Sequence, residues 1–405
     1  MSTESTLPPP LSGVRILDFS RIIAGPLCTQ QLADMGADVI KIENPVGGDD
    51  TRRLSEPGVD GVSHFFLAFN RNKKSVALDI RHPDAQDVLH RLAAQSDVLI
   101  QNFRPGVMAR FGLDYATMAK RHPHLIYVSI SAYGTDGPMS ERPGFDPVLQ
   151  AEFGLMSMTG EPDGPPLRHP LSIIDTLTAL HAVGAVSAAL YARGDGREGQ
   201  HIDLTLMDSA VAALGNAGLY YLCSGKQPPR AGNSHMTSTP TTLMQTSDGP
   251  LYMALGTNKL FGQLCRDVLD RPDLVDHPDF ATADARLANR PALFEIMRAA
   301  FAARPRAHWV KTMRHLPAGP VRDLAGALGS PEVAHRNMVV EVEREGGTPM
   351  RLLGSPLKFS STKVREPSPP PLLGEHTDEV LRDIAGLEPG EIARLRESGV
   401  AGAAA

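Results

Sequence analysis

Asp175 stands in Leu171-Ser-Ile-Ile-Asp-Thr-Leu-Thr-Ala179, where it opens an apolar helical run. A carboxylate there is expected to cap the helix by accepting from the free N–H groups of the first turn. The same position favours the ionised form that a nucleophile needs, while apolar neighbours limit its hydration. Gly144-Phe-Asp146-Pro147 reads as a second helix start, with Asp146 as N-cap and Pro147 at the first helical position. Arg104, in Asn102-Phe-Arg-Pro-Gly106, and Arg110 follow a strand-like run. They therefore lie at the carboxyl edge where open α/β sheets bind ligands, although each alone reads equally as a solvated surface charge. Lys73 and Lys74 add positive potential or simply charge a strand entry. His235, in Ala231-Gly-Asn-Ser-His235, reads as an exposed loop histidine, and His376 as part of a helix cap with Thr377. Cys28, Cys223 and Cys265 are widely separated, which gives no metal-ligand spacing and suits a reducing cytoplasm.

The elements that must position these groups begin with Val14-Arg-Ile-Leu-Asp-Phe-Ser20, a tight Ala24-Gly25-Pro26 loop, a helical segment, and Ala37-Asp-Val-Ile-Lys-Ile-Glu43. This is a β-α-β opening of the kind that builds nucleotide-binding sheets. The loop lacks the spaced glycines of a dinucleotide fingerprint, so NAD is not expected even though Glu43 ends the second strand. Further strands are predicted over 75–80, 98–103, 125–132 and 201–206, with helices over 83–94, 115–121, 174–192 and 208–222. That alternation implies an α/β fold with a Rossmann-like parallel sheet covered on both faces. A Gly-, Pro- and Ser-rich linker over 224–242 then leads to a smaller α+β domain over 243–319. There, a strand over 251–255 precedes helices near 259–270, 290–303 and 307–315. The large domain is assigned to 11–223, and 320–400 returns to it. Residues 1–10 read as a disordered lead and 401–405 as a frayed tail. The chain has 405 residues, 42% hydrophobic, with a net charge of −6. Such a balance argues against a nucleic-acid partner, and no apolar run is expected to span a bilayer.

Seven segments in order carry a resemblance over nearly the whole chain: Leu11-Ser-Gly-Val-Arg-Ile-Leu-Asp18, Ala24-Gly-Pro26, Gly36-Ala-Asp-Val-Ile-Lys-Ile-Glu43, Asn70-Arg-Asn-Lys-Lys-Ser75, Asn102-Phe-Arg-Pro-Gly106, Gly144-Phe-Asp146 and Pro371-Leu-Leu-Gly-Glu-His-Thr377. Together they resemble the class III CoA-transferases, of the formyl-CoA, carnitine and succinyl-CoA:dicarboxylate types. The resemblance implies an interlocked homodimer and an enzyme with no permanently bound cofactor or metal. Coenzyme A enters as the substrate acyl-CoA, and a free carboxylic acid is the second small-molecule partner.

By position, Asp175 matches the family's catalytic aspartate. The implied mechanism passes through a mixed anhydride and an aspartyl-CoA thioester. The resemblance also implies CoA contacts from Ile23, Ala24, Leu78, Arg81, Asn102, Phe103, Arg104 and Arg110. The chain departs from relatives at Asn44, where many carry an arginine, and near Pro143, where some carry a CoA-binding lysine that Arg142 would replace. Arg21, Asp146 and His235 are candidates for contact with the exchanged acids, His235 as part of a mobile cover. Two rival readings are an α-methylacyl-CoA racemase and a CoA-binding protein without catalysis. The racemase needs a histidine where this chain has Phe145, which cannot transfer a proton; the non-catalytic reading needs an absent nucleophile, whereas Asp175 is present.

Overall fold

A computed structural model describes residues 7–54, 56–194 and 198–402, so the ends of the expected lead and tail, 1–6 and 403–405, lie outside the described residues. The chain divides into two compact units, one of Met1–Phe153, Pro170–Gly215 and Pro331–Ala405, the other of Gly154–His169 and Asn216–Ser330.

In the first unit, short apolar runs form β1 (Arg15–Asp18), β2 (Asp38–Glu43), β3 (Lys73–Ala77), β4 (Val98–Gln101), β5 (Ile126–Ser131) and β6 (His201–Thr205). All six are parallel, in the order β3-β2-β1-β4-β5-β6, with Leu17 level with Ile40 on one side and Leu99 on the other. Ile16, Leu17, Ile40, Leu99 and Val128 are fully buried, as strands covered on both faces require. This order is that of a doubly wound nucleotide-binding sheet. Its connections diverge between β1 and β4 and open a crevice at their carboxyl ends.

The covering helices are α1 (Ala24–Asp34), α2 (Ala85–Ala94), α3 (Val107–Arg110), α4 (Tyr115–Arg121), α5 (Asp146–Glu152), α6 (Ile173–Gly194) and α7 (Leu206–Ala213). The stripe Val88, Leu89 and Leu92 seats α2 in the core, and Asp114 caps α4 through Thr117 N at 3.2 Å. At 22 residues, α6 is long and apolar enough to cross a bilayer by length and composition, which corrects the expectation that no run is. Its buried residues, Ile174, Thr178, Ala179, Ala182, Val186 and Ala189, recur at helical spacing where α6 packs on α1 and α7. The helix expected over 208–222 is two helices, because Gly215, at φ +49°, stands between α7 and a helix over Gly215–Ser224.

Residues expected at the frayed ends are in part well tied. Ala401 is buried and bridges to Leu78, Gly402 N donates to Ala77 O at 3.0 Å, and Leu7 bridges to Thr362. The return segment is stapled to β3, since Ala77 N donates to Thr377 Oγ1 at 3.0 Å and Ser75 N to His376 Nδ1 at 3.3 Å.

The second unit has an antiparallel sheet of Thr241–Thr246, Gly249–Ala254 and Ala318–Pro320. Leu293, Met297 and Phe301 pack with Trp309, whose Nε1 donates to Phe301 O at 3.0 Å. The stretch expected as a linker lies inside this unit. Arg230 fastens it to the Gly154–His169 segment by donating to Gly164 O at 2.8 Å. The first strand went unpredicted because its threonines look like loop residues, although β-branching suits a pleated surface.

Candidate active site

Loops 19–24 and 102–106 meet over the crevice between β1 and β4. Asn102 ties them together: its Oδ1 accepts from Arg21 N at 2.8 Å and its Nδ2 donates to Arg21 O at 2.7 Å. From the other side, Ile22 N donates to Asp49 Oδ1 at 3.3 Å. So held, Ile22 adopts φ 71°, a left-handed conformation that a β-branched residue avoids, at a cost of about 1–3 kcal/mol. Gly25 permits the fold-back that follows, since a Cβ there would lie 2.2 Å from the Ser20 Cβ.

Beneath the loop lies a buried charge network. The Asp18 carboxylate accepts from Ser20 N at 2.9 Å, Thr29 Oγ1 at 2.6 Å and Lys73 Nζ at 3.2 Å. Lys41 Nζ donates to Ser20 O at 2.6 Å and pairs with Asp49 at 3.0 Å. Burial opposes the charge on Asp18, but Lys73, Lys41 and the two hydroxyls outweigh it and hold the carboxyl below its usual range. Burial likewise opposes the charge on Lys41, and Asp49, Asp18 and Glu43 overcome it and raise that pKa. Removing one member would strand a buried charge, at roughly 3–5 kcal/mol. The network thus anchors the loop. Lys41 and Asp49 were missed in the sequence; the available signal was a lysine interrupting the apolar run of β2.

Two clefts share Arg21, Phe103 and Arg104. One, of about 370 Å³, is lined also by Leu78, Arg81 and Asn44; the other, of about 280 Å³, by Ile23, Ala24, Arg142, Phe145 and Asp175. Within the second cleft, α6 begins at Ile173, so Asp175 is its third residue and not its cap. The cap comes from Asp146, whose Oδ2 accepts from Ile174 N at 2.6 Å and from Asp175 N at 3.1 Å. Asp146 was expected to cap its own helix, but that N-cap is Phe145, and Asp146 and Pro147 fill the first turn. Gly144 makes the approach possible, since a Cβ there would lie 2.6 Å from the Ala132 Cβ. Asp175 is pushed up to about 7, first by burial and then by the Asp146 charge. The expected preference for the ionised form is therefore reversed: Asp146 has taken the N–H groups that would have stabilised it.

The other candidate residues are distributed as follows. Arg104 is exposed where the two clefts meet, whereas Arg110 is exposed at the end of α3 and lines neither. Arg81 pairs with Asp79 at 2.8 Å, and Arg21 pairs with Asp50 at 3.1 Å while lying 5.0 Å from the Phe103 ring centre. Arg142 pairs with Glu152 and lies 5.4 Å from the Tyr133 ring centre. Asn102 is occupied in joining the loops, and Asn44 accepts from Val46 N at 2.8 Å. Glu43 is committed to Arg52 and Ser75, which removes it as a ribose ligand. Lys73 is sealed in the network and Lys74 pairs with Glu379 at 3.0 Å, so neither adds free charge at the cleft. His235 belongs to the second unit, where its Nδ1 accepts from Thr237 N and Ser238 N, each at 3.2 Å.

Residues 11–377 match the model of CoA-transferase family III. A succinyl-CoA:glutarate CoA-transferase of Mus musculus is 39% identical over 96% of this chain and 90% of that protein. A succinate–glutarate CoA-transferase of Agrobacterium fabrum is 37% identical over 94% and 97%. The crystal structure of a CAIB/BAIF family protein from Brucella suis superposes with a TM-score of 0.84 at 36% identity, covering 93% of this chain and all of that one.

Proposed function

The chain belongs to CoA-transferase family III and is an enzyme of the transferase type, and we propose that it moves CoA from an acyl-CoA donor to a free dicarboxylic acid, with Asp175 as the covalent carrier. The observation that carries this reading is the Asp175 carboxyl on the wall of a cleft that also carries the exposed Arg104, a cation suited to an anionic substrate, while Arg21 and Arg142 there are paired with Asp50 and Glu152. The dicarboxylic class rests on the similarity to the succinyl-CoA:glutarate and succinate–glutarate CoA-transferases.

The adenosine end of CoA occupies the larger cleft against Leu78 and Phe103, and the thioester reaches Asp175 past Arg104. The ionised Asp175 oxygen attacks the thioester carbonyl, forming an acyl–aspartyl anhydride and releasing CoA thiolate. The thiolate then attacks the aspartyl carbonyl, giving an aspartyl-CoA thioester and the free donor acid. The acceptor carboxylate attacks that thioester, forming a second anhydride and releasing the thiolate. Attack of the thiolate on the acceptor's acyl carbon yields the new acyl-CoA and restores Asp175. Each anhydride is high in energy, so contacts to the distant CoA moiety must hold the reacting groups together.

Apolar residues left exposed on a single chain, Leu180 and Tyr191 on α6 and Val211 on α7, support a homodimer. Light scattering should return twice the 43.5 kDa chain mass; a monomer at micromolar concentration would count against it. For the reaction, the decisive measurement is a panel of acyl-CoA donors and free acids with products resolved by mass. Exchange between succinyl-CoA and a C4–C6 dicarboxylate is expected. Exchange in no pair, or only with monocarboxylates, would overturn the assignment.

A further inference from the structure

The geometry points to Asp146 as the positioning residue of the nucleophile: one carboxylate that fixes the first turn of α6 by accepting from the backbone of Ile174 and of Asp175 itself. This rests on the reading of Asp175 as the covalent carrier. Asp146 is only 3% exposed, and it reaches across 29 residues of sequence to accept from the backbone N–H of Asp175 itself. Its other oxygen accepts from Gln150 Nε2 at 2.6 Å, so the carboxylate is held from both ends. A side chain bonded to the nucleophile's own backbone limits the arc through which the Asp175 carboxyl can swing. Its negative charge disfavours a second carboxylate beside it.

Other titratable groups line the cleft or lie on the elements packed against α6. Arg21, Asp50, Arg104 and Arg142 line the cleft with it. On the packed elements, Cys28 and Asp34 lie on α1, Glu152 on α5 and Asp208 on α7. Tyr127 lies on β5, and His201 and Asp203 on β6. Of these, Asp34, Asp50 and Glu152 are already paired with arginines, and it is the Asp146 charge that weighs on Asp175. The consequence is a more basic, and hence more nucleophilic, carboxylate than a solvated aspartate, obtained at the cost of a smaller ionised fraction below neutrality.

Asp146→Asn keeps an acceptor oxygen for the helix and removes the charge. Carboxyl 13C NMR of aspartate-labelled protein, with the Asp175 signal assigned by its loss in Asp175→Asn, reads the ionisation without any turnover. The native midpoint is expected near about 7. In Asp146→Asn it should fall by about one unit or more, with the acid limb of kcat/KM moving the same way. At the high-pH plateau kcat should drop roughly tenfold while KM for acyl-CoA changes little, because the CoA contacts lie elsewhere. Asp146→Ser, which retains a capping hydroxyl, is the second variant and should show the same shift. A midpoint unmoved in a folded variant, or a loss confined to KM, would overturn the inference. Failure of the native protein to transfer CoA in any pair would instead overturn the nucleophile reading, and the titration would still decide whether the two carboxylates are coupled.

Discussion

Asp175 carries a carboxyl whose surroundings oppose its charge, yet the proposed transfer requires that charge. Asp175→Ala should abolish transfer while the protein folds and binds CoA, measured by product mass and by calorimetry; native-like turnover would sink the mechanism. With native protein, acyl-CoA plus hydroxylamine should convert the Asp175 side chain to a hydroxamate, and an unmodified peptide would argue against an anhydride or thioester. Arg104 is an exposed cation where the two clefts meet. Arg104→Ala should raise the apparent constant for acyl-CoA by a factor matching about 1.5–3 kcal/mol, the worth of a charge-assisted contact. Arg110→Ala should do less, because Arg110 lines neither cleft. Unchanged kinetics in both would mean that the nucleotide lies on another edge of the sheet.

The loop after β1 illustrates what elements add to residues. The resemblance implies a CoA contact from Asn102, but its amide is spent in both directions on the backbone of Arg21, and with Asp49 it holds Ile22 in a strained conformation. Asn102→Ala should let this loop relax, lowering kcat and costing about 0.5–1.5 kcal/mol in unfolding free energy for each hydrogen bond lost, since both are solvent-exposed. A variant with native stability and turnover would show that the clamp is idle. The parallel sheet and most of its helices were legible in the sequence, because strands buried on both faces leave short, largely apolar runs between helical segments. The capping of α6 by Asp146 was not. Asp146 and Pro147 satisfy a local rule for a helix start, and only tertiary contact decides which helix the carboxylate serves. Lys41 and Asp49 escaped notice for a related reason, since their pairing is visible only once β2 and the 49–53 turn face each other.

At the scale of the molecule, the question is which of two reactions this architecture performs on an acyl-CoA. Racemisation moves the proton on the carbon next to the thioester and needs two acid/base groups, whereas transfer leaves that carbon alone and stops without an acceptor acid. Beside Asp175, the position where a racemase requires a histidine holds Phe145, 64% exposed, and among the described residues no histidine lines the cleft. In deuterated water the protein should therefore place no deuterium at the α-carbon of a 2-methylacyl-CoA, yet should move CoA between two carboxylic acids. Both readouts come from one incubation followed by mass spectrometry. Rapid deuterium uptake that disappears in Asp175→Ala would reverse the assignment and require Asp146 or Asp50 to act as the second base. Uptake that persists in that variant would be background exchange of the thioester and leave the transferase reading intact.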